Sequence, residues 1–412
     1  MPERAPPSPL AIAFAGLVAL AVAMGIGRFA FTPLLPLMLA EHAVDLAGAS
    51  VLASANYFGY LVGALACTFQ PWLARRLGRT GTVNGPRWVR GGLVATTLLT
   101  LGMALHAPAL WPWLRFAAGV ASAVVFLYTS GWCLEQLARR GVPAMGALIY
   151  VGPGGGIVAS GVAASVLVAR GSEAEAGWLT FGVLAALLSA TVWRVFDARR
   201  GVAAAPVAAA AAAADTRVAG SMGAAGMTAL GFAYGLAGIG YIVTATFLPV
   251  IARQALPGSP WLDLFWPLFG VGVMLGAMLA SRLPAGGDLR LRLAACYAVQ
   301  AIGVAASLVS PTLAGFGLGS LLLGLPFTAI TFFALQEVRR VRPLQAVPYM
   351  GLLTAMYGVG QIAGPPLAAF LVAHSANAAR GFSVALWIAC SLLVLGAMIY
   401  LVLARTVPMR RA

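Results

Sequence analysis

Charged side chains are scarce in this sequence of 412 residues, and lysine does not occur in it. Only 9% of the residues are charged, 61% are hydrophobic and the mean hydropathy is +0.92. Because soluble domains carry about a quarter charged residues, this chain has too few to cover a water-soluble surface. The absence of lysine also excludes the phosphate-binding loop G-x-x-x-x-G-K-[ST]. The sequence therefore predicts a membrane protein that draws its energy from a gradient and not from ATP.

Residues that build metal centres, disulfide frameworks or nucleophilic catalytic sites are few and poorly spaced. The four cysteines lie singly in apolar runs, and the three histidines lie at the ends of such runs. The motif G-x-S-x-G is absent. Residues 25–30 fit a loose G-x-G-x-x-A pattern, but they lie inside an apolar run with no preceding strand, which excludes a dinucleotide site. We expect no cofactor, no metal and no enzymatic activity.

Twelve apolar stretches are each long enough to cross a hydrocarbon core of about 30 Å as a helix. They lie near residues 10–39, 46–73, 91–107, 109–138, 143–169, 177–196, 223–252, 261–283, 291–309, 311–338, 345–373 and 380–404. Residues 197–222 are rich in alanine and interrupted by Pro206, Asp215 and Arg217, which indicates a cytoplasmic linker. The predicted domains are a six-helix bundle at 1–196, the linker at 197–222 and a second six-helix bundle at 223–412.

All 26 basic residues are arginines, and they are concentrated in the loops between the apolar stretches. With the N-terminus in the cytoplasm, 21 arginines fall on the cytoplasmic side, three on the other side, and two, Arg28 and Arg115, inside apolar stretches. This asymmetry predicts a multi-pass protein of the bacterial cytoplasmic (inner) membrane with both termini in the cytoplasm. The net charge of +15 therefore indicates topology and contact with the lipid bilayer, not nucleic-acid binding.

Two stretches repeat each other at a distance of 213 residues. The first, GIGRFAFTPLLP at residues 25–36, recurs as GIGYIVTATFLP at residues 238–249, with Tyr241 in the place of Arg28. The same offset relates two pairs of small residues that favour close helix packing: Gly59 with Gly63, and Gly272 with Gly276. The chain therefore predicts two parallel repeats of six spans that enclose one site near the middle of the membrane.

This layout resembles the major facilitator superfamily over essentially the whole chain. The segments GIGRFAFTPLLPLM, ANYFGYLVGAL and TAMYGVGQIAGPP are similar to its YbfB/YjiJ-type subgroup. The resemblance implies an all-α membrane protein with twelve transmembrane helices in two pseudo-symmetric halves. It also implies a monomer that moves a small molecule by alternating access, with the proton as the usual coupling ion.

The inner-loop motif of that superfamily, between the second and third spans, is matched at Arg76, Gly78 and Arg79. Its aspartate is replaced by Arg75, so the usual ion pair of the inner gate is missing. The resemblance assigns the matching residues to gating. Two glutamates at inner span ends are alternative partners for the arginines: Glu135 and Glu337.

Two further motifs carry the resemblance. The fourth span is similar to the pattern R-x-x-x-G-x-x-x-A from Arg115, and the fifth to the Gly-Pro motif of exchangers at Gly152 and Pro153. Arg115 lies only about 8 Å inside its span. It is therefore either a coupling or substrate-contact residue, or a side chain that extends to the outer surface.

Arg28 lies in the middle of the first apolar stretch, about 16 Å of helix rise from Leu39. A charge at that depth costs at least about 2.5 kcal/mol and normally faces a cavity or a partner. None of the eleven acidic residues lies at a similar depth, so an anionic substrate is a natural partner for the guanidinium group. The alternative is an arginine that binds main-chain carbonyls freed by Pro33 and Pro36.

Polar side chains recur at helical spacing in three other spans. The stripes are Asn56 with Tyr60, Tyr234 with Tyr241, and Thr354 with Tyr357 and Gln361. Such stripes either line a cavity or hold helices together, at about 0.6 kcal/mol per hydrogen bond. The predicted substrate site comprises Arg28, Phe31, Thr32, Asn56, Tyr60, Tyr241, Tyr357 and Gln361.

These observations predict a secondary transporter of a small organic anion, with Arg28 holding the anion opposite Tyr241. The expected coupling ion is the proton, carried on the substrate or relayed by Asp263 or Glu135. Export of drug-like molecules or metabolites is an alternative that the Gly-Pro motif favours, although a cationic drug is a poor partner for Arg28. A membrane sensor that does not transport and a polytopic membrane enzyme are alternatives of a different class.

Overall fold

The computed structural model describes residues 7–76, 84–197, 222–259, 261–283, 287–342 and 346–407, and within these ranges it contains helices and no strand. The α-helices are α1 (Pro9–Leu20), α2 (Phe31–Ala40), α3 (Leu46–Arg76), α4 (Gly85–Gly102), α5 (Trp111–Arg139), α6 (Gly152–Ala169), α7 (Ala174–Val192), α8 (Ala224–Ala255), α9 (Phe265–Arg282), α10 (Leu289–Val309), α11 (Leu313–Gly324), α12 (Phe327–Val341), α13 (Ala346–Ala373) and α14 (Ala378–Thr406). A π-helical segment lies at Ala21–Ile26, and 3₁₀ segments lie at Pro108–Leu110, Pro143–Val151 and Leu262–Leu264.

Eleven helical segments of the described chain are long and apolar enough to cross a membrane. One of them, Pro9–Ala40, combines α1, the π-helical segment and α2, and another, Leu313–Val341, combines α11 and α12. The remaining predicted span corresponds to α4, an 18-residue helix made more polar by Arg87 and Arg90. Because α4 packs on both α5 and α7, it belongs to the same bundle. The predicted all-α fold class is confirmed.

The first span is broken in its middle. The backbone turns π-helical at Ala21–Ile26, and α2 begins only at Phe31. The glycines of this stretch and Pro33 favour the break, because glycine is a poor helix former and proline cannot donate to the carbonyl four residues earlier. By contrast α8, which contains the repeated stretch, is one unbroken helix. The two repeats therefore differ in conformation at the position of Arg28.

The small-residue pairs pack equivalent helices in the two repeats. A β-carbon built on Gly59 would clash with the carbonyl of Phe116 in α5, and one built on Gly276 would clash with the carbonyl of Leu325, directly after α11. The second span thus packs on the fourth as the eighth packs on the tenth. The prediction that these glycines let helices approach closely is confirmed.

Helices of the first six spans meet helices of the last six along two seams. In one, α3 packs on α13, where Ser54 Oγ donates a hydrogen bond to the carbonyl of Ile362 at 2.9 Å. In the other, α6 packs on α9, where a β-carbon on Gly154 would lie 2.6 Å from the carbonyl oxygen of Gly270. Helices α2 and α8 also touch, so the two repeated stretches lie side by side between the seams.

The predicted domain limits fall close to helix ends, since α7 ends at Val192 and α8 begins at Ala224. Most of the predicted linker, residues 198–221, lies outside the described residues. The division at 196/197 and 222/223 stays a prediction.

Candidate substrate site

Arg28 lies at the break in the first span and reaches across to the last six spans. It is 3% exposed, and its Nη2 donates a hydrogen bond to Oε1 of Gln361 on α13 at 2.7 Å. Nε2 of Gln361 in turn donates to the hydroxyl of Tyr241 on α8. The arginine and the tyrosine at equivalent positions of the repeat are therefore joined through one glutamine.

Aromatic rings surround the guanidinium group of Arg28. Its Cζ lies 4.0 Å from the ring centroid of Tyr60, 5.4 Å from that of Tyr57 and 5.3 Å from that of Phe29. A cation within about 6 Å of a ring centroid is attracted by the ring quadrupole, by about 2 kcal/mol when the pair is desolvated. The rings thus stabilise the positive charge without neutralising it.

Three tyrosines of the last six spans form a stack that begins at Tyr241. The ring of Tyr357 lies between those of Tyr241 and Tyr234, at centroid distances of 5.8 Å and 4.8 Å. The hydroxyl of Tyr234 donates to Oγ1 of Thr331 at 3.0 Å, which holds the far end of the stack. On its other side Tyr241 meets Phe327 edge to face at 5.1 Å. Flat aromatic surfaces therefore adjoin the guanidinium group of Arg28.

No carboxylate pairs with Arg28 in the part of the chain that the structure describes. The ion pairs found there lie at helix ends: His106 with Glu175, Arg139 with Glu135, Arg253 with Asp263, and a cluster of Asp288, Arg290, Glu337 and Arg340. Nε of Arg28 is buried and has no hydrogen-bond partner among the described residues. Since an uncompensated buried ion costs several kcal/mol, the Nε and Nη2 edge of this guanidinium favours an anion.

Arg115 supports the backbone that carries Arg28. It is 2% exposed, and its guanidinium donates to the carbonyl oxygens of Gly27 at 3.3 Å and Arg28 at 3.0 Å. Asn56 Nδ2 donates to the carbonyl of Arg115 at 2.9 Å and holds it in place. The expectation that Arg115 could extend to the outer surface is therefore wrong. The guanidinium of Arg28 is instead bound to the side chain of Gln361.

Three residues of the predicted site make other contacts. Phe31 faces Arg115, with its ring centroid 5.1 Å from Cζ, and Asn56 is the residue that binds the Arg115 carbonyl. Thr32 Oγ1 donates to the carbonyl of Ala245 at 3.0 Å, a pair separated by the repeat offset of 213 residues. These contacts join α2 to its surroundings. The predicted residues that the structure brings together are Arg28, Tyr60, Tyr241, Tyr357 and Gln361.

Tyr57, Phe29 and Phe327 belong to the same cluster, although the sequence pattern did not identify them. Tyr57 lies three residues before Tyr60 and so shares its helical face, which is the signal that could have found it. Its hydroxyl also lies 3.0 Å from Oγ1 of Thr246 on α8. No local spacing relates Phe327 to the other residues, because it approaches them only through the packing of α12 on its neighbours.

The structure describes only some of the residues assigned to the inner gate. Arg76 ends α3 and is exposed, while Gly78 and Arg79 lie outside the described residues. Glu135 pairs with Arg139 one turn along its own helix at 2.5 Å.

Glu337 belongs to a buried ion cluster of the last six spans. It is 0% exposed, and among the described residues it pairs with Arg340 at 2.7 Å and with Arg290 at 3.6 Å. Arg290 also binds Asp288 at 2.7 Å. Burial alone would raise the pKa of Asp288, but hydrogen bonds from Arg290 and the charges of Arg290 and Arg340 outweigh it and hold that pKa below its ordinary value.

The Gly-Pro motif is a packing element. Gly152 and Pro153 begin α6, and Gly152 lies against the backbone of Leu17 in α1. A β-carbon on Gly156 would lie 2.8 Å from the Cα of Gly25 in the broken first span. The motif thus lets α6 approach the helix break that holds Arg28.

The family described as "Uncharacterised MFS-type transporter YbfB" matches residues 20–401 of the chain. The chain belongs to this family. It is therefore a major facilitator transporter and a multi-pass membrane protein, as the resemblance implied. No curated protein has a significantly similar sequence.

Solved structures of the nucleoside transporter NupG resemble this YbfB-type transporter in fold. One NupG structure is 12% identical, with a TM-score of 0.64 over 96% of this chain and 98% of the other. A point mutant of NupG is 14% identical, with a TM-score of 0.65 over 96% of this chain and 99% of the other. At these identities the comparison shows the fold alone, which is the predicted major facilitator fold.

Proposed function

We propose that this YbfB-type transporter carries a small organic anion by alternating access and that Arg28 binds the anion. One observation carries the proposal: among the described residues, Nη2 of the buried guanidinium is bound to the neutral amide oxygen of Gln361, Nε has no hydrogen-bond partner and no carboxylate pairs with the group. A carboxylate at this edge accepts from both nitrogens at once and supplies the missing negative charge. The substrate thus completes the hydrogen bonding of the site.

The side chain of Gln361 lies at the edge of Arg28 that we assign to the anion. It accepts from Arg28 and donates to Tyr241, so a polar link joins the two halves of the chain. When the anion binds Arg28, this link is exchanged for contacts with the substrate, and Gln361 becomes free to donate to it. A ligand bound by groups from both halves stabilises the arrangement of the halves that fits it best. This exchange couples binding to alternating access.

The aromatic surfaces favour an anion with a planar portion. Tyr60 and Tyr357 are half-buried, whereas Tyr241 is fully buried behind them. Aromatic groups pack favourably in offset-stacked or edge-to-face arrangements. The NupG proteins are nucleoside transporters, but a nucleoside is neutral and would leave Arg28 without a counter-ion. An aromatic or otherwise planar carboxylate meets both requirements.

We propose the proton as the coupling ion, carried by the substrate. Asp263 pairs with Arg253, and Glu135 pairs with Arg139, so both candidate relays are engaged at helix ends. A diprotic acid can bind Arg28 through one ionised group while its second, protonated group carries the proton. Such a substrate needs no protonatable carboxylate of the protein at mid-depth.

We further propose a monomer in the bacterial cytoplasmic membrane, with both termini in the cytoplasm. The last turns of α5, α9, α12 and α14 carry arginines, and these helices complete the fourth, eighth, tenth and twelfth spans. Even-numbered spans end on the side where the chain begins. The arginines therefore support a cytoplasmic position for that side.

A thermal-shift screen of the detergent-purified protein tests the anion proposal. Organic anions, cations and neutral compounds are compared on the wild type, on Arg28→Gln and on Arg405→Gln, a control that removes an exposed arginine at the end of α14. A ligand at 100 times its dissociation constant stabilises by about 2.7 kcal/mol. We expect planar carboxylates to raise the melting temperature of the wild type and of Arg405→Gln, and not that of Arg28→Gln.

Equal stabilisation of all three proteins by cations or neutral amphiphiles would mean that Arg28 is structural, and drug export would replace anion transport. Saturable uptake of the best ligand into liposomes then separates a transporter from a sensor. Uptake that acidifies the lumen supports the proton as coupling ion.

A further inference from the structure

A groove of about 390 Å³ lies between α4 and α7, away from Arg28. Its walls are largely apolar, with Val94 and Leu98 on α4 and Ala190 on α7. All three side chains are exposed, so the groove opens to the side of the bundle, where lipid lies. At one end it reaches Arg194, directly after α7.

Two hydroxyl groups line this groove without a hydrogen-bond partner among the described residues. Ser189 is 7% exposed, and its Oγ is buried and unpartnered. Thr97 on the facing helix also makes no hydrogen bond, whereas Thr96 and Thr100 each donate to the carbonyl four residues earlier. In a bilayer core, which offers no water, a bound molecule with an acceptor oxygen would satisfy such hydroxyls.

The charged end of the groove is held in a defined position. Nε and Nη2 of Arg90 donate to the carbonyl of Trp193 at 3.0 Å and 2.6 Å, and Cζ of Arg90 lies 4.8 Å from the Trp193 ring. This places the neighbouring Arg194 beside the groove, where it is exposed and forms no ion pair with a described carboxylate. Ser189 lies five residues before Arg194, about 7.5 Å of helix rise deeper.

The corresponding helices of the second half, α10 and α14, are joined by protein side chains. The buried rings of Tyr297 and Tyr400 meet edge to face there, with centroids 5.2 Å apart. Between α4 and α7, the space is instead bordered by the two hydroxyl groups and by small residues such as Ala190. The seam of the first half is thus suited to a molecule from the membrane.

We propose that the groove between α4 and α7 binds one anionic phospholipid. The order of groups along the groove matches that of the lipid: Arg194 binds the phosphate, Ser189 donates to an ester carbonyl, and an acyl chain lies along Val94 and Leu98. An anionic headgroup is favoured over a zwitterionic one because Arg194 brings a positive charge to the level of the headgroups.

Native mass spectrometry of the full chain in detergent tests this proposal. The protein is titrated with phosphatidylglycerol and, separately, with phosphatidylcholine of the same acyl chains. We expect one retained phosphatidylglycerol and weaker retention of phosphatidylcholine. Arg194→Gln should raise the dissociation constant about fivefold, the factor for one arginine near an anionic surface. Ala190→Trp, which fills the groove, should abolish retention.

Two matched controls should bind as the wild type does. Arg405→Gln removes an exposed arginine at the same face but on α14, and Thr191→Ala removes a hydroxyl on α7 that already donates to the carbonyl of Leu188. Ser189→Ala should weaken binding where Thr191→Ala does not.

Equal losses of phosphatidylglycerol affinity in Arg194→Gln and Arg405→Gln would overturn the proposal, as would equal binding of the two lipids. The lipid would then be attracted to the whole surface and not to this groove. Retention in Ala190→Trp would also overturn it. Competition by inorganic phosphate at the lipid concentration would indicate a free-phosphate site instead. A dimer that Ala190→Trp disrupts would indicate a second copy of the chain as the occupant.

Discussion

Nη2 of Arg115 lies 3.0 Å from the main-chain oxygen of Arg28, so one buried arginine holds the backbone that carries another. The two guanidinium groups have different surroundings. That of Arg115 is bound to carbonyls at the helix break, whereas that of Arg28 binds an amide of the opposite half. Neither forms an ion pair with a carboxylate of the described chain. This difference separates a structural role for Arg115 from the binding role that we propose for Arg28.

We expect anion binding to depend on the two parallel N–H donors of the Arg28 guanidinium as well as on its charge. We expect Arg28→Lys to keep the positive charge and to lose bidentate binding, because an ammonium group is a point charge on a flexible stem. The loss of one charged hydrogen bond, about 1.5–3 kcal/mol, corresponds to roughly a tenfold or greater rise in the dissociation constant of the anion. Calorimetric titration with the carboxylate that raises the melting temperature most measures this dissociation constant. Unchanged affinity in Arg28→Lys would contradict bidentate binding.

In Gln361→Glu, the side-chain carboxylate should permanently occupy the anion position beside Arg28. A carboxylate at residue 361 would neutralise Arg28, so we expect a higher melting temperature than in the wild type and no further rise with the anionic ligand. Gln361→Ala is the matched control, since it removes the link without supplying a charge. A Gln361→Glu protein that still responds to the ligand at neutral pH would contradict the exchange mechanism.

Arg115→Gln should destabilise the protein and weaken ligand binding without touching the guanidinium of Arg28. The change removes donors from the carbonyls of Gly27 and Arg28, and each unsatisfied buried group costs about 1–3 kcal/mol. The melting temperature measures the loss of stability, and a titration with the ligand at a temperature where both proteins are folded measures the loss of binding. Ser122→Ala is a useful comparison, because Ser122 Oγ donates to the carbonyl of Ala23 in the same break. We expect a smaller loss there and an intact ligand response.

Neighbouring glycines of the Gly-Pro motif should tolerate substitution very differently. A β-carbon on Gly156 would lie 2.8 Å from the Cα of Gly25, whereas one on Gly155 has nothing within 4 Å. We expect Gly156→Ala to cost about 1–3 kcal/mol through overpacking and to lower the melting temperature, while Gly155→Ala is neutral or slightly stabilising. Equal melting temperatures for the two variants would mean that α6 and the first span are packed less tightly than described.

Acid should weaken the ion cluster around Asp288. Because the pKa of this carboxyl is held below its ordinary value of 3.8, its contribution to stability is fully present above that value and is lost as the pH falls through the lower folded pKa. We expect the melting temperatures of the wild type and Asp288→Asn to differ at neutral pH and to converge below about pH 4. Glu173→Gln removes an exposed carboxylate as a control. A constant difference down to pH 3 would contradict the assignment.

Much of the architecture follows from local properties of the sequence. Hydropathy located the spans, because each helix must cover its own length of hydrocarbon. The 213-residue repeat identified Gly59 and Gly276 as close-packing positions, and both prevent a clash with a carbonyl of a neighbouring helix. The motifs indicated the family to which the chain belongs.

Contacts between residues that are far apart in the sequence were decided by the tertiary structure. Gln361 meets Arg28 from a position 333 residues later, and Glu337 binds Arg290 from a different helix. Periodicity identifies which face of a helix carries a polar group, but the rotation and depth of the opposing helix determine what that group meets. The local glycines and Pro33 favour the π-helical break, but only the packing of α5 against it brings Arg115 to its carbonyls.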